Sequence, residues 1–162
     1  MQRTVATIGV YGWTPDAFLE ALRAAKVALV LDVRQRRGVR GSEYAWANAT
    51  RLEAALAGAG IEYRHHKELA PTIELRHLQY REDERAGVGK RSRAELAPAY
   101  VERYTREILD RADLGPIVAG LPPAGAAALL CVERDPEACH RSLIAARLAR
   151  EHGVQVVDLR PG

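Results

Sequence analysis

The residues best suited to chemistry crowd into one short stretch, Cys131-Val-Glu-Arg-Asp-Pro-Glu-Ala-Cys-His-Arg141. It holds both cysteines of the chain and one of its five histidines. A thiol beside an imidazole acts as a nucleophile once a base takes its proton or nearby positive charge lowers its pKa. Cys131, at the end of an expected strand, is the better-placed nucleophile, with His140 or Glu133 as its base and Cys139 as the second candidate. The stretch is not the Cys-x5-Arg loop of phosphatases, because Glu137 and Ala145 occupy the positions six after each cysteine. Nor does it have the Cys-x2-Cys spacing of a thioredoxin pair.

Two other chemistries compete for these residues. Zinc would accept Cys131, Cys139, His140 and one of His65 or His66. Asp135 and Pro136 read as the cap and first position of a helix. Cys139 and His140 would then lie in its second turn and point about 100° apart, which disfavours joint ligation. The sequence leads us to assign no metal and no cofactor. The third chemistry is anion recognition. Arg34, Arg36, Arg37 and Arg40 fall in one acid-free loop, Lys90, Arg91 and Arg93 in another, and Arg134 and Arg141 in the cysteine stretch itself. Arginine forks suit phosphates, and Tyr44 and Trp46 beside the first loop could stack a base. The Gly-Val-Gly-Lys-Arg-Ser run at 87–92 is not a phosphate-binding P-loop, since Glu84 stands where the leading glycine is needed and Arg91 follows the lysine.

The elements that must position these residues alternate. A β-branched run at 4–10 precedes a helix start with Thr14 as N-cap and Pro15 at its first position. Val27–Arg34 is almost continuously apolar, as suits a strand covered on both faces. A helix is expected over 48–60, a strand over 61–66, and a short helix within 68–80. The polar run from Tyr80 to Arg93 reads as loop. A helix follows over 94–112, with Pro98 tolerated only in its first turn. A buried strand ends at Cys131–Glu133, a helix starts at Asp135, and a last strand covers 154–159. This order predicts a three-layer α/β domain with a mainly parallel sheet. Ligands in such sheets bind beyond the carboxyl ends of the strands. Asp32 and Arg34, His65 and His66, and Cys131 and Glu133 would therefore share one rim.

Composition sets the outer bounds. A chain of 162 residues with 48% hydrophobic and 28% charged content is expected to form one domain, and it can bury roughly two-thirds of its unfolded surface. The net charge of +3 permits an anionic partner without requiring one. The first ten residues do not read as a signal peptide, and no apolar run is long enough to span a membrane. Two cysteines do not make a disulfide framework, so free thiols in a reducing cytoplasm are the expectation.

The chain resembles the bacterial and archaeal family called domain of unknown function 488. The resemblance rests on Thr-Ile-Gly-Val-Tyr-Gly at 7–12, Leu-Val-Leu-Asp-Val-Arg at 29–34, Gly-Ile-Glu-Tyr-Arg-His-His-Lys-Glu-Leu-Ala-Pro at 60–71, and a Cys-x-Glu-x-x-Pro-x-x-Cys-His-Arg pattern on Cys131, Glu133, Pro136, Cys139, His140 and Arg141. Val10-Tyr11 departs from the His-Ser that many members carry after the first strand. The basic loop also lacks the proline that often follows Asp-Val-Arg. The resemblance implies a single α/β domain of Rossmann-like layering and no particular activity.

These readings converge on an enzyme that uses Cys131, Cys139, His140 and Glu133 on an anionic substrate, a nucleotide or a nucleic acid. Arg34, Arg37, Arg40, Tyr44, Arg134 and Arg141 would bind it. The alternative is a non-catalytic module that binds nucleic acid through the loops at Arg34–Arg40 and Gly89–Arg93.

Overall fold

The apolar runs become the middle of a parallel sheet. The structure is a computed structural model that describes residues 3–89 and 91–162, so Lys90 of the second basic loop lies outside the described residues. Five strands lie in the order β3-β2-β4-β1-β5. They are β1 (Thr4–Ile8), β2 (Val27–Asp32), β3 (Glu62–His65), β4 (Ala126–Leu130) and β5 (Gln155–Leu159). All four pairings are parallel. Every residue of β4 is buried, whereas the edge strands β3 and β5 hold only exposed and half-buried positions. That contrast is why the central strands read as unbroken apolar runs and the edge strands do not.

Helices cover both faces, giving the three α/β layers of a Rossmann-like fold. Helices α1 (Pro15–Ala24) and α2 (Ala49–Gly58) place Phe18, Leu22, Leu52 and Leu56 against Ile8, Val30 and Leu130. Helices α3 (Ile73–Ala86), α4 (Pro98–Glu107) and α6 (Arg141–His152) bring Leu75, Tyr104, Ile144 and Leu148 onto Val5, Leu29, Leu31 and Leu129. The chain moves one way along the sheet from β1 to β3 and back from β3 to β5. Parallel crossovers of constant hand therefore put the early and late helices on opposite faces. Each large apolar side chain so buried contributes about 1.5–3 kcal/mol. No helix of the described residues is long and apolar enough to cross a membrane.

Three segments differ from the sequence expectation. The run expected as loop after Tyr80 is helical to Ala86, because Thr72 caps α3 by accepting from Leu75 N–H and Gly87 ends it in the left-handed conformation. The face of α3 with Gln79 and Asp83 is buried yet polar, so no apolar period announces it. A short helix, α5 (Gly115–Ala119), precedes β4. The third difference reshapes the site. Pro136–Ala138 is a single 3-10 turn, Asp135 makes no side-chain cap, and Cys139 is extended at φ −139°, ψ 146°. The last helix begins only at Arg141, with His140 as its N-cap.

Gly9, just past β1, lets the loop after β4 come close. A Cβ there would lie 1.8 Å from the carbonyl oxygen of Glu133 and 3.3 Å from an Arg141 guanidinium nitrogen. Nothing flexible can yield, since the nearest atom is backbone. Gly9→Ala should therefore lower stability by about 1–3 kcal/mol through overpacking, read as a shift in the urea midpoint. A variant as stable as the parent would show that the loop can retreat.

Candidate active site

The carboxyl ends of three central strands stand level. Ile8 and Asp32 both pair with Leu130. The pairing continues into the loops: Val33 N–H donates to Leu130 O at 3.0 Å, Cys131 N–H to Ile8 O at 3.2 Å and Val10 N–H to Val132 O at 2.9 Å. Arg34, Cys131 and Glu133 thus emerge side by side, on the shared rim that the alternation predicts.

The turn after β4 folds its thiols inward. Because Cys139 is extended rather than helical, its side chain and that of His140 reach the same point, so the geometric objection to their acting jointly does not hold. Cys131 Sγ lies 3.6 Å and Cys139 Sγ 3.7 Å from His140 Nδ1. The other ring nitrogen, Nε2, is 2.8 Å from the carbonyl oxygen of Val33. A carbonyl only accepts, so Nε2 carries a proton and Nδ1 faces the sulfurs. All three residues are buried. Burial raises the Cys131 thiol well above its ordinary pKa, and its hydrogen bond with Cys139 and the charges of Cys139 and Glu133 add to the rise. Burial also pushes Cys139 up. The Cys131 hydrogen bond and the charges of His140 and Arg141 outweigh that and hold Cys139 well below the usual thiol range. Burial pulls His140 down, but the charge of Cys139 and hydrogen bonds to Cys139 and Val33 leave it raised. Of the two sulfurs, Cys139 is therefore the one on which its surroundings favour negative charge.

Arg141 reinforces that charge. It is fully buried and has no carboxylate partner among the described residues. It donates to Glu133 O at 2.7 Å and Arg134 O at 3.2 Å, and its Nε has no hydrogen-bond partner. A guanidinium in that position favours negative charge on a neighbouring sulfur. It stands behind the turn and fixes its path, and it is not among the residues that line the cleft.

Glu133 is held by a chain of polar contacts that runs back to α3. Arg93 donates to Glu133 Oε1 at 2.9 Å, to Asp83 Oδ2 at 2.7 Å and to Ala138 O at 2.9 Å. Asp83 accepts from Gln79 at 2.8 Å, and Gln79 accepts from Ala97 N–H at 3.0 Å. Burial and the nearby Cys139 charge raise the Glu133 carboxyl to about 7, against the lowering effect of Arg93.

These groups form one wall of a cleft of about 540 Å³, within the roughly 300–1,000 Å³ of small-molecule sites. Both basic loops line it, one contributing Arg34, Arg36 and Arg40 and the other Arg91 and Arg93. Helix α3 adds Arg76 and Tyr80, and α4 adds Tyr100. Arg34 is 1% exposed, donating through Nε and Nη2 to Asp32 and through Nη1 to Ala47 O. It forms wall rather than a free clamp. Arg37 turns outward to Glu53 and Tyr63. Arg134 is exposed beside Asp135. Tyr44 is buried and accepts from Gly12 N–H at 3.0 Å. Trp46 packs on Phe18, with ring centres 4.9 Å apart. His65 contacts Arg34 O and His66 pairs with Glu68, both away from the cleft lining. Of the five arginines and one tyrosine expected to bind substrate, Arg34 and Arg40 reach the lining and Arg37, Tyr44, Arg134 and Arg141 do not.

Sequence reasoning missed Arg76, Gln79, Tyr80, Asp83 and Tyr100. The available signal was the four-residue spacing of Arg76 with Tyr80 and of Gln79 with Asp83, which becomes meaningful once that segment is helical.

The fold and its rim define a class: an all-parallel α/β protein whose strand ends hold a buried thiol–imidazole centre beneath an arginine-lined cleft. The chain belongs to the family described as domain of unknown function DUF488, whose family model matches residues 14–148. The comparisons with curated proteins and with solved structures returned no match.

The buried Asp32–Arg34 pair gives a prediction about the rim. Asp32→Ala would leave a sealed guanidinium without its counter-charge and should cost about 3–5 kcal/mol. Asp32→Leu combined with Arg34→Met should recover most of that loss. Equilibrium urea melts of the single and double variants measure the difference.

Proposed function

We propose that the protein is an enzyme acting on an anionic substrate that carries a planar ring, a nucleotide or one nucleotide unit of a nucleic acid. Cys131, Cys139, His140 and Glu133 form its reacting centre. The observation that carries this reading is the charge of the cleft: six arginines line it against the carboxylate of Glu133. Two of the six are already compensated, Arg34 by Asp32 and Arg93 by Asp83 and Glu133. Arg36, Arg40, Arg76 and Arg91 have no carboxylate partner among the described residues. Arg76 contacts only neutral groups, Gln35 and the Tyr80 hydroxyl, and Arg91 lies over the rings of Tyr11 and Tyr44. Four uncompensated forks around one cavity suit a phosphate, which each can grip through two N–H groups. Tyr11, Tyr80 and Tyr100 offer faces on which a base can stack.

A concave site lined by both basic loops favours this reading over a nucleic-acid module without catalysis, which needs an open basic stripe along the surface. The reading also takes the protein to work in a reducing cytoplasm, where both thiols stay available.

Titration with a labelled nucleoside 5′-monophosphate and a labelled single-stranded oligonucleotide, repeated across salt concentrations, tests it. The mononucleotide should bind with an affinity that falls as salt rises. Arg36→Gln and Arg91→Gln should each weaken binding about tenfold. Mass spectrometry of a nucleotide pool incubated with the protein should reveal a product that Glu133→Gln does not form. Binding of the oligonucleotide alone, with neither probe altered, would leave the non-catalytic module. Failure of both probes to bind in a salt-dependent way would remove both readings.

A further inference from the structure

We propose that Cys131 Sγ, Cys139 Sγ and His140 Nδ1 are three ligands of a zinc ion whose fourth position opens onto the arginine-lined cleft. The inference deepens the proposed function and rests on it for the substrate. The metal site itself stands on separate geometry.

The three donor atoms all lie within 4.8 Å of one another. With Zn–S near 2.3 Å and Zn–N near 2.0 Å, a tetrahedral ion sets sulfur and nitrogen ligands roughly 3.6 Å apart. The two sulfur-to-nitrogen separations here are 3.6 and 3.7 Å. The protein thus already holds both sulfurs at the sulfur-to-nitrogen edge length of a coordination tetrahedron. The imidazole is oriented as a ligand must be: Nε2–H is committed to Val33 O at 2.8 Å, which aims Nδ1 at the sulfurs. A backbone carbonyl on the far ring nitrogen is one of the usual outer partners of a metal-bound histidine. Arg141, buried without a carboxylate among the described residues, offsets the negative charge that two thiolates bring.

Zinc ions with purely structural roles take four protein ligands, whereas catalytic ones keep a position for water. Among the described residues the cluster offers three. Cys131, Cys139 and His140 all line the cleft, and so does Glu133. The chemistry that follows is metal-assisted hydrolysis. Water at the open position gives one proton to Glu133, and the hydroxide oxygen bonds to the electrophilic atom of the substrate. The bond to the leaving group breaks, and the proton on Glu133 passes to that group. Water is the only co-reactant, and nothing is oxidised or reduced.

The test uses the full chain, stripped of metal by a chelator, kept reduced by a phosphine and titrated with Co²⁺ alone. A break at one equivalent, with thiolate-to-cobalt charge-transfer bands and the intense visible bands of tetrahedral cobalt, is the expected result. Zn²⁺ should then bleach the spectrum at one equivalent. Cys131→Ser, Cys139→Ser and His140→Ala should each weaken the charge-transfer signal and lower the affinity at least tenfold, with circular dichroism confirming that each variant is folded. If any variant unfolds, the parent titration still decides. Arg91→Gln should leave cobalt binding unchanged while weakening nucleotide binding. A folded parent protein that shows no one-equivalent break, or binds cobalt without sulfur-derived bands, overturns the metal site. If cobalt binds as expected and no nucleotide does, the site stands and the substrate assignment falls.

Discussion

A buried arginine with no acid to answer it among the described residues sets the path of the turn that closes the rim. Arg141 stands at the first position of α6 with its guanidinium inside the protein, donating to the carbonyl oxygens of Glu133 and Arg134. Those two bonds tie the start of the turn to its end. Between them the chain has no regular structure except one 3-10 turn. It is this irregular path that lets Cys139 and His140 face one point instead of diverging around a helix. Taking a guanidinium out of water is expensive, and the cost is recovered only if the surroundings supply negative potential. Here the carbonyl oxygens of Glu133 and Arg134 supply part of it, and the Cys139 sulfur, on which the Arg141 charge favours the thiolate, adds to it.

The remaining buried charges sort the arginines into two kinds. Arg34 and Arg93 are saturated: one by Asp32 and Ala47 O, the other by Asp83, Glu133 and Ala138 O. They are architectural, joining loops that share no regular hydrogen-bonded ladder. Removing one member of such a network leaves an uncompensated charge, so each network acts as a unit. Arg36, Arg40 and Arg91 stand on the same two loops but are exposed. The loops therefore hold their shape through one arginine each and present their charge through the others.

Much of the fold was legible because its signals are local or periodic. Thr14-Pro15 marked a helix start, the apolar run at 27–34 marked a central strand, and alternation of elements implied the parallel sheet. The convergence of strand ends followed from topology alone. The errors also have physical causes. Asp135-Pro136 carries a helix-start signature, but the segment must bend to bring Cys139 inward, and tertiary contacts to Arg93 and Arg141 override the local preference. The polar stretch after Tyr80 hides a helix because its inner face packs on other polar groups. At the site, residue type was readable and assignment was not. Nothing in four neighbouring arginines says that Arg34 turns inward to Asp32 while Arg36 does not.

Arg91 carries a consequence of its own. It lies 4.6 Å from the centre of the Tyr11 ring and 5.4 Å from that of Tyr44. An exposed contact of this kind is worth only about 0.5–1 kcal/mol, less than a charge-assisted bond to phosphate. An anion of the kind proposed above would therefore compete only with this soft hold, since Arg91 forms no ion pair among the described residues. The guanidinium is thus held over the Tyr11 ring, on the cleft wall, by a contact it can give up at small cost.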